Sequence, residues 1–164
     1  MTDTYYIAKQ KPELVEFGTQ YYFTAEGRGA PESEQFAAAV QSLYQRAYAA
    51  RKTAAARFTV GKLEGLWWAK DNDRSPRDEW NWKLLIRMPE AFAGTEPMDE
   101  GQVLQMLHIG PFATEPETLE QMYAYMSQHG LAHNGKHHEV YLTDLRRTPP
   151  DRTRTILRQP VKRV

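Results

Sequence analysis

Two stretches of the sequence, YYFTAEGRGAPESEQFAAAVQSLY at residues 21–44 and VLQMLHIGPFATEPETLEQMYAYM at residues 103–126, follow one plan. Each is typical of a strand, a glycine turn, an acidic segment that contains proline, and then a helix. A plan that occurs twice in one chain indicates an internal repeat.

Both predicted helices carry a start signal and an apolar stripe. Ser33 or Glu32 is placed to cap the first helix after Pro31, and Pro116 with Glu117 opens the second. Apolar residues recur at helical spacing, in the first helix as Phe36, Val40, Leu43 and Ala47 and in the second as Leu119, Met122, Tyr123 and Met126. These patterns predict two amphipathic helices, one after each strand.

The similarity continues beyond the helices. GKLEGLWW at 61–68 matches GKHHEVYL at 135–142, and LLIRMP at 84–89 matches TILRQP at 155–160. Each half is therefore predicted to be β-α-β-β, and such a unit leaves one sheet face uncovered unless it meets a second copy. The sequence predicts an α+β fold of duplicated βαββ units with pseudo-two-fold symmetry, with antiparallel sheets, helices on one side and a central ligand cleft.

A single domain spanning 1–164 is expected to contain both copies. The matching features place repeat one at 15–90 and repeat two at 101–162, with Gly27 aligned with Gly110. A chain of this length can bury one sizeable core, which agrees with one domain.

Composition excludes several classes of function. Lys plus Arg and Asp plus Glu number 21 each, so the chain has no overall field that would attract nucleic acid or an anionic membrane. It has no cysteine, which rules out disulfides, thiol nucleophiles and thiolate metal sites. No segment approaches the roughly 20 apolar residues of a membrane span, and the N-terminus does not read as a signal peptide. We therefore expect a cytoplasmic protein that binds neither nucleic acid nor membrane.

Glu139 lies inside a predicted apolar strand, and the internal repeat suggests a reason. Aligning the halves places Glu139 against Gly65 and Tyr141 against Trp67. Because strand side chains alternate between faces, Glu139 and Tyr141 share one face, as do Gly65 and Trp67. If those faces meet at the pseudo-axis, they form a cleft with aromatic walls and one carboxylate, which suits a small molecule. A solvated position or a structural ion pair is the alternative for Glu139.

The four tryptophans all lie between Trp67 and Trp82. In EWNWKLLIR, Trp80 and Trp82 alternate with polar residues and are predicted to present two indoles on one strand face. Trp68 points away from the Trp67 face and is assigned to the core beneath the helices. Core or cross-strand packing is the alternative for each of these rings.

Three histidines, His133, His137 and His138, suggest a metal site at first sight. Gly135 between them disfavours a helix that would align His133 with His137, and no H-E-x-x-H pattern is present. We therefore predict turn and strand histidines and no metal site. His108, at the end of a strand, could line the cleft or cap the turn that follows.

Several segments together resemble the GyrI-like small-molecule-binding family, in its stand-alone branch without a DNA-binding domain. They are EGRGAPESEQF, LYQRAY, LEGLWW, DEWNWKLLIRMP, LHIGPF and GKHHEVYLTDLRRTPPDRTRTILRQPV, and the resemblance extends over almost the whole chain from about Tyr5 onward. The resemblance implies two SHS2-like βαββ units around a ligand cleft. The chain departs from many members between Pro89 and Gln102, where they carry a longer insertion of helical character.

The resemblance also implies candidate functions. Relatives serve as effector domains of multidrug-responsive activators, in which a buried glutamate faces cationic aromatic drugs, and Glu139 stands at that position. A stand-alone subset that this chain resembles hydrolyses cyclopropane-bearing DNA-alkylating natural products. Other relatives inhibit DNA gyrase, so a topoisomerase is a possible partner, although no feature of the sequence favours it.

For a cyclopropane substrate, the residues suggest a mechanism that needs no cofactor. Glu139 would deprotonate the attacking water with a pKa raised by burial, and Tyr141 would donate a hydrogen bond to the water or to the substrate carbonyl. The residues expected to bind a planar aromatic ligand are Trp67, Trp80, Trp82, Tyr44, Gly65 and His108. Alternatively, the same cleft binds lipophilic cations without converting them, with Glu139 as the countercharge and the aromatic rings as cation-π partners.

Overall fold

The computed structural model describes residues 4–70 and 75–164. The chain forms two compact units. The inserted unit is Thr19–Asp99, and the terminal unit combines the chain up to Gly18 with Glu100–Val164. Each unit contains antiparallel strands and an α-helix, which confirms the predicted α+β class. No helix within the described residues has the length and apolar character needed to cross a membrane.

Strand pairing is antiparallel throughout both units. The elements, in chain order, are β1 (Glu13–Glu16), β2 (Gln20–Arg28), α1 (Glu34–Thr53), β3 (Leu63–Trp68), β4 (Asn81–Met88), β5 (Glu96–Met98), β6 (Gln102–Ile109), α2 (Glu115–Gln128), β7 (Leu131–His133), β8 (His137–Tyr141) and β9 (Arg154–Arg163). In the inserted unit, β4 lies between β2 and β3, and β5 pairs with β2. In the terminal unit, β9 lies between β6 and β8, β1 pairs with β6, and β7 pairs with the end of β9.

The helices begin at or next to the predicted positions. The Ser33 side chain accepts a hydrogen bond from the backbone N of Phe36 at 3.2 Å, so Ser33 caps α1 as predicted. Helix α2 begins at Glu115, one residue before the predicted start. Pro116 then lies in the first turn, where its missing N–H has no helical partner to lose.

The apolar stripes agree with the prediction except at one position. The buried residues are Phe36, Leu43 and Ala47 in α1 and Thr118, Met122 and Met126 in α2. Tyr123 was predicted to face the core, but it is 44% exposed and lies beside the ring of His133. Thr118 is buried because its hydroxyl has a hydrogen-bond partner, which helical spacing of apolar residues does not reveal.

The second strand-to-helix turn uses the aligned Gly110, but the first uses Gly29 instead of Gly27. Gly29 follows β2 with φ +117° and Gly110 follows β6 with φ +131°, conformations that disfavour residues with a side chain. The backbone N of Gly29 donates to the Trp80 carbonyl at 2.9 Å, and that of Gly110 donates to the Thr153 carbonyl at 2.8 Å. The predicted alignment of Gly27 with Gly110 is therefore wrong by two residues, since Gly27 lies inside β2.

Gly27 makes room for an indole in the core of the inserted unit. It pairs with Trp82 across β2 and β4, and a Cβ atom at Gly27 would lie 2.3 Å from the Trp82 ring. Trp82 is fully buried, and Phe36 of α1 contacts it edge-on with ring centroids 5.3 Å apart. Phe36 also stacks on Trp67 at 6.0 Å. Aromatic rings therefore fill the space between α1 and the strands.

We expect Gly27→Ala to lower the free energy of unfolding by about 1–3 kcal/mol, because the new methyl group overpacks the site against the Trp82 ring. Urea unfolding followed by tryptophan fluorescence measures the loss. In a Trp82→Phe background the smaller ring leaves space, so the same substitution should cost less. An equal cost in both backgrounds would show that the ring is not the reason for glycine here.

Both faces of the terminal unit's strands are covered. The face toward α2 carries an apolar core made of Leu104, Met106, Met122, Met126, Leu131, Leu157 and Val161. On the other face, the fully buried Arg158 lies over the rings of Tyr5 at 4.4 Å and Phe17 at 4.6 Å, and its Nε donates to Gln105 at 3.1 Å. The cation-π contacts tie the chain before β2 to β9. Strands β6 and β9 are therefore held between two packed layers.

Candidate active site

Alternate residues of β8 bring three polar side chains to one face. His137, Glu139 and Tyr141 stand at i, i+2 and i+4, so their side chains point to the same side of the strand. The Tyr141 hydroxyl donates to Oε1 of Glu139 at 2.9 Å, and Nε2 of His137 donates to Oε2 at 2.9 Å. Glu139 is only 7% exposed. Both of its oxygens are thus held by donors from its own strand.

A second carboxyl group, Glu115 in the first turn of α2, lies against Glu139. One donor atom from each of Glu115, His137 and Glu139 lies within 4.8 Å of the other two. Oε2 of Glu115 is buried and has no hydrogen-bond partner among the described residues. Two ionised carboxylates cannot hydrogen-bond, so contact between the pair requires a proton. Burial and the neighbouring Glu139 raise the pKa of Glu115 to about 11, which makes Glu115 the group that holds it.

Glu139 is the ionised member of the pair. Burial alone would raise its pKa, but the hydrogen bond and charge of His137, with hydrogen bonds from Glu115 and Tyr141, outweigh burial and lower it to about 2. The prediction that burial raises the pKa of Glu139 toward that of a general base is therefore wrong. It counted the loss of water around the carboxylate but not the donors that replace the water.

His108 caps the turn, which is one of the two roles considered for it. Its Nε2 donates to the Pro111 carbonyl at 3.0 Å, which leaves Nδ1 to accept from the Thr118 hydroxyl at 2.7 Å. Thr114 also contacts Nε2, at 3.2 Å. With both ring nitrogens engaged and the side chain 4% exposed, His108 holds the start of α2 in place. Its predicted ligand contact gains no support from these bonds.

Each unit has a set of three residues that pair across neighbouring strands, and the two sets differ in side-chain type. Strand pairing aligns Gly27, Trp82 and Trp67 in the inserted unit, and His108, Thr155 and Tyr141 in the terminal unit. Thr155 is fully buried, and its hydroxyl has no hydrogen-bond partner in the described part of the chain. The terminal unit therefore has a small polar side chain beside Tyr141 where the inserted unit has an indole.

Gly65 and Glu139 each pair with a leucine on the central strand of their own unit. Gly65 pairs with Leu84 on the central strand of its unit, as Glu139 pairs with Leu157 on the central strand of the other. Trp67, two residues after Gly65, is 9% exposed. Its stacking on the α1 ring accounts for its burial, as ring packing accounts for that of Trp82. The ligand contacts of Gly65, Trp67 and Trp82 stay predictions.

Two expectations about the other tryptophans are wrong. Trp80 lies just before β4 rather than in it, and its Nε1 donates to the Ser75 carbonyl at 3.0 Å, so it belongs to a loop and not to a pair of indoles on one strand face. Trp68 is half-buried and, by strand alternation, faces away from α1, because Trp67 is the residue that contacts α1. Trp68 is therefore not in the core beneath the helix.

Tyr44 lies half-buried on α1, and its ring centroid is 6.4 Å from that of Tyr48. The two rings follow one helix face at i and i+4, which is the usual geometry for contact along a helix. Tyr48 is 49% exposed, so this edge of α1 presents aromatic surface. The role of Tyr44 in ligand binding stays a prediction.

Sequence reasoning missed three residues of the cluster. His137 could have been found, because it stands two residues before Glu139 and strand alternation places it on the same face. Glu115 gave no such signal, since acidic residues are common in the first turn of any helix. Phe112 precedes α2, is 43% exposed, and contacts Tyr141 edge-on with ring centroids 6.1 Å apart. It offers an open aromatic face next to the polar groups.

The three histidines that suggested a metal site lie in different surroundings. His133 is exposed at the end of β7, and the buried His138 donates to Glu100 at 2.9 Å. The charge and hydrogen bond of His138 outweigh burial and lower the pKa of Glu100. The Glu115, His137 and Glu139 group is compact enough to contact one cation, but its members already bond to one another.

An α+β unit with a buried, ionised carboxylate beside an open aromatic face has the features of a small-molecule-binding domain. The chain matches the model of the GyrI-like small molecule binding domain over residues 10–162, and it belongs to that family. No curated protein sequence matches the chain.

Solved structures give the same fold. An uncharacterized conserved protein from Listeria innocua matches with a TM-score of 0.89 and 31% identity, over 97% of this chain and 96% of its own. A hydrolase from Listeria innocua matches with a TM-score of 0.85 and 30% identity, over 97% and 95% of the two chains. The EcmrR C-terminal domain, with a TM-score of 0.68, 10% identity and coverage of 94% and 98%, shows the fold alone.

Proposed function

We propose that the protein hydrolyses small, planar, electrophilic compounds, with duocarmycin-type cyclopropanes as the substrate class, and so detoxifies them. The observation that carries the proposal is the ionised Glu139, buried and held at both oxygens by Tyr141 and His137. A carboxylate in this state can orient a water molecule and remove its proton as the water attacks a strained carbon. The similarity to a Listeria innocua hydrolase at 30% identity supports a hydrolytic reaction.

The aromatic surroundings favour a planar substrate. Phe112 exposes its ring beside Tyr141, so a flat molecule stacked on Phe112 would bring its reactive carbon toward the Glu139 cluster. Tyr141 already donates its only proton to Glu139, and it can shift that hydrogen bond toward a bound water. The competing role, capture of a lipophilic cation, requires free negative charge at Glu139. An ionised Glu139 could serve either role, and turnover of a neutral substrate is what separates them.

The first test is incubation of the protein with a duocarmycin-type spirocyclopropyl dienone, followed by mass spectrometry. We expect a product heavier by one water, formed faster than in a sample without protein. Dialysis against EDTA should leave the rate unchanged, since proton chemistry needs no ion. A dienone that binds, as shown by quenching of tryptophan fluorescence, but is recovered unchanged would refute hydrolysis of this class and favour a binding function.

A further inference from the structure

One carboxyl oxygen of Glu115 lies within 4.8 Å of one of Glu139, and the two residues come from different elements, α2 and β8. Burial and Glu139 are the influences that keep Glu115 neutral. The other titratable groups facing the pair are His137 and Tyr141, both from β8. On the β6 side, His108 fixes the first turn of α2 through Thr114 and Thr118. These hydrogen bonds hold the residues on either side of Glu115, and so they fix its position next to Glu139.

We propose that Glu115 is a second catalytic residue of this site, which donates its proton to the substrate while Glu139 takes one from the attacking water. This inference rests on the proposed hydrolase function and assigns its proton donor. It also defines the substrate class more narrowly. The substrate must carry an acceptor oxygen that gains electron density as the strained ring opens, as the carbonyl of a cyclopropyl dienone does.

The proposed step balances in atoms and electrons. The water oxygen forms a bond to the cyclopropane CH2 carbon, and one C–C bond of the three-membered ring breaks. The electron pair of that bond moves through the dienone to its oxygen, which takes the Glu115 proton and becomes a phenol. The proton of the water moves to Glu139. The product contains one added water, and no oxidant, reductant or metal takes part.

Glu115 removes a weakness of Glu139 as a base. A carboxylate stabilised by so many donors has little affinity for a proton, and a base of low pKa is a poor one near neutral pH. When Glu115 loses its proton, Glu139 loses one of its donors and gains a negative neighbour. Both changes raise the affinity of Glu139 for the proton of the water. Each transfer therefore promotes the other.

The contact also returns the site to its starting state. After the reaction Glu139 carries the proton and Glu115 is ionised, which is the reverse of the resting arrangement. Because the two carboxyl groups are neighbours, the proton can pass from Glu139 to Glu115 without an outside buffer. This predicts turnover that does not depend on the concentration of added buffer.

Glu115→Gln provides the test, with Glu120→Gln as the control. Glutamine keeps the size and a donor toward Glu139 but has no proton to give, whereas Glu120 is an exposed residue of the same helix. We expect Glu115→Gln to slow conversion of the spirocyclopropyl dienone by about 100-fold or more, the usual contribution of a positioned acid, without weakening its binding. Glu120→Gln should convert the dienone at the wild-type rate.

Infrared spectroscopy tests the resting proton without any substrate. We expect the wild type and Glu120→Gln at pH 7 to show the C=O stretch of a protonated carboxyl group, and Glu115→Gln to lack it. Absence of this band from the wild type would overturn the proposal, and so would full-rate conversion by Glu115→Gln. If the band is present but the wild type converts no dienone, the proposed hydrolysis and the donor role fail together, while the neutral Glu115 stands.

Discussion

Replacing Glu139 with glutamine is expected to lower the rate of dienone hydrolysis by about 100- to 10,000-fold, the range that positioned proton transfer contributes. Glutamine has nearly the same shape and keeps one oxygen to accept from Tyr141, but it cannot take a proton from water. Binding of the neutral dienone should change little, because stacking on aromatic rings does not need the charge. The loss should therefore appear in turnover and not in affinity.

Single-turnover mass spectrometry with excess protein measures this effect, and fluorescence quenching gives the affinity in parallel. Tyr141→Phe removes only one donor from Glu139, so we expect a smaller loss than from Glu139→Gln. Retention of most of the activity by Glu139→Gln would rule out Glu139 as the base. If neither the wild type nor Glu139→Gln converts the dienone, and Glu139→Gln binds a lipophilic cation more weakly than the wild type, then Glu139 is a countercharge and the protein is a binder.

Glu115→Gln is expected to stabilise the protein at neutral pH, by about 1–3 kcal/mol, even as it removes activity. In the folded state the pKa of Glu115 is raised to about 11, whereas in the unfolded chain it returns to its ordinary value of about 4.3. At pH 7 the unfolded chain releases this proton and the folded protein retains it. Stability from this group is therefore complete below about pH 4 and is lost progressively as pH rises. Glutamine has no proton to release in the unfolded chain, so the variant does not lose stability in this way as the pH rises.

Urea unfolding at pH 4 and pH 7.5 measures this prediction. The advantage of Glu115→Gln over wild type should be clear at pH 7.5 and nearly absent at pH 4, and Glu120→Gln should match wild type at both. Glu139 works in the opposite sense, because its pKa is lower in the folded protein than in the unfolded chain. Its ionised form therefore stabilises the fold at any pH above the pKa of the unfolded chain, and this contribution is lost as the pH falls toward 2. Lower stability of Glu115→Gln at both pH values would show that Glu115 is not a neutral, buried acid.

The parts of the fold that the sequence predicts are those set by local pattern. Helical spacing and the Ser33 cap locate α1, and strand alternation places Glu139 and Tyr141 on one face. Position along the chain, however, does not show which helix residue meets a given strand residue. The contact between Glu115 and Glu139 joins the start of α2 to β8, so neither its existence nor its effect on pKa follows from periodicity.

For a related reason, the sequence position of a tryptophan does not show whether its ring lines a ligand site or packs in the core. An aromatic residue in a strand pattern suits a ligand wall and a packed core equally well. The difference at Trp82 is made by Gly27 on the neighbouring strand, whose missing side chain admits the indole into the interior. Gly27 is visible in the sequence, but its role depends on the pairing of β2 with β4, which is a tertiary property.

The interrupted sequence of the terminal unit constrains the order in which the protein can assemble on the ribosome. Strand β1 is made before the inserted unit, but its partner β6 and the arginine that packs on Tyr5 and Phe17 are made after it. The inserted unit, Thr19–Asp99, pairs β2 with β4 and β5, and β3 with β4, within itself, so these strands are free to form first. The leading segment must then stay unpaired, with its aromatic side chains exposed, until β9 emerges. During synthesis the segment before β2 is therefore more accessible to chaperones than the inserted unit.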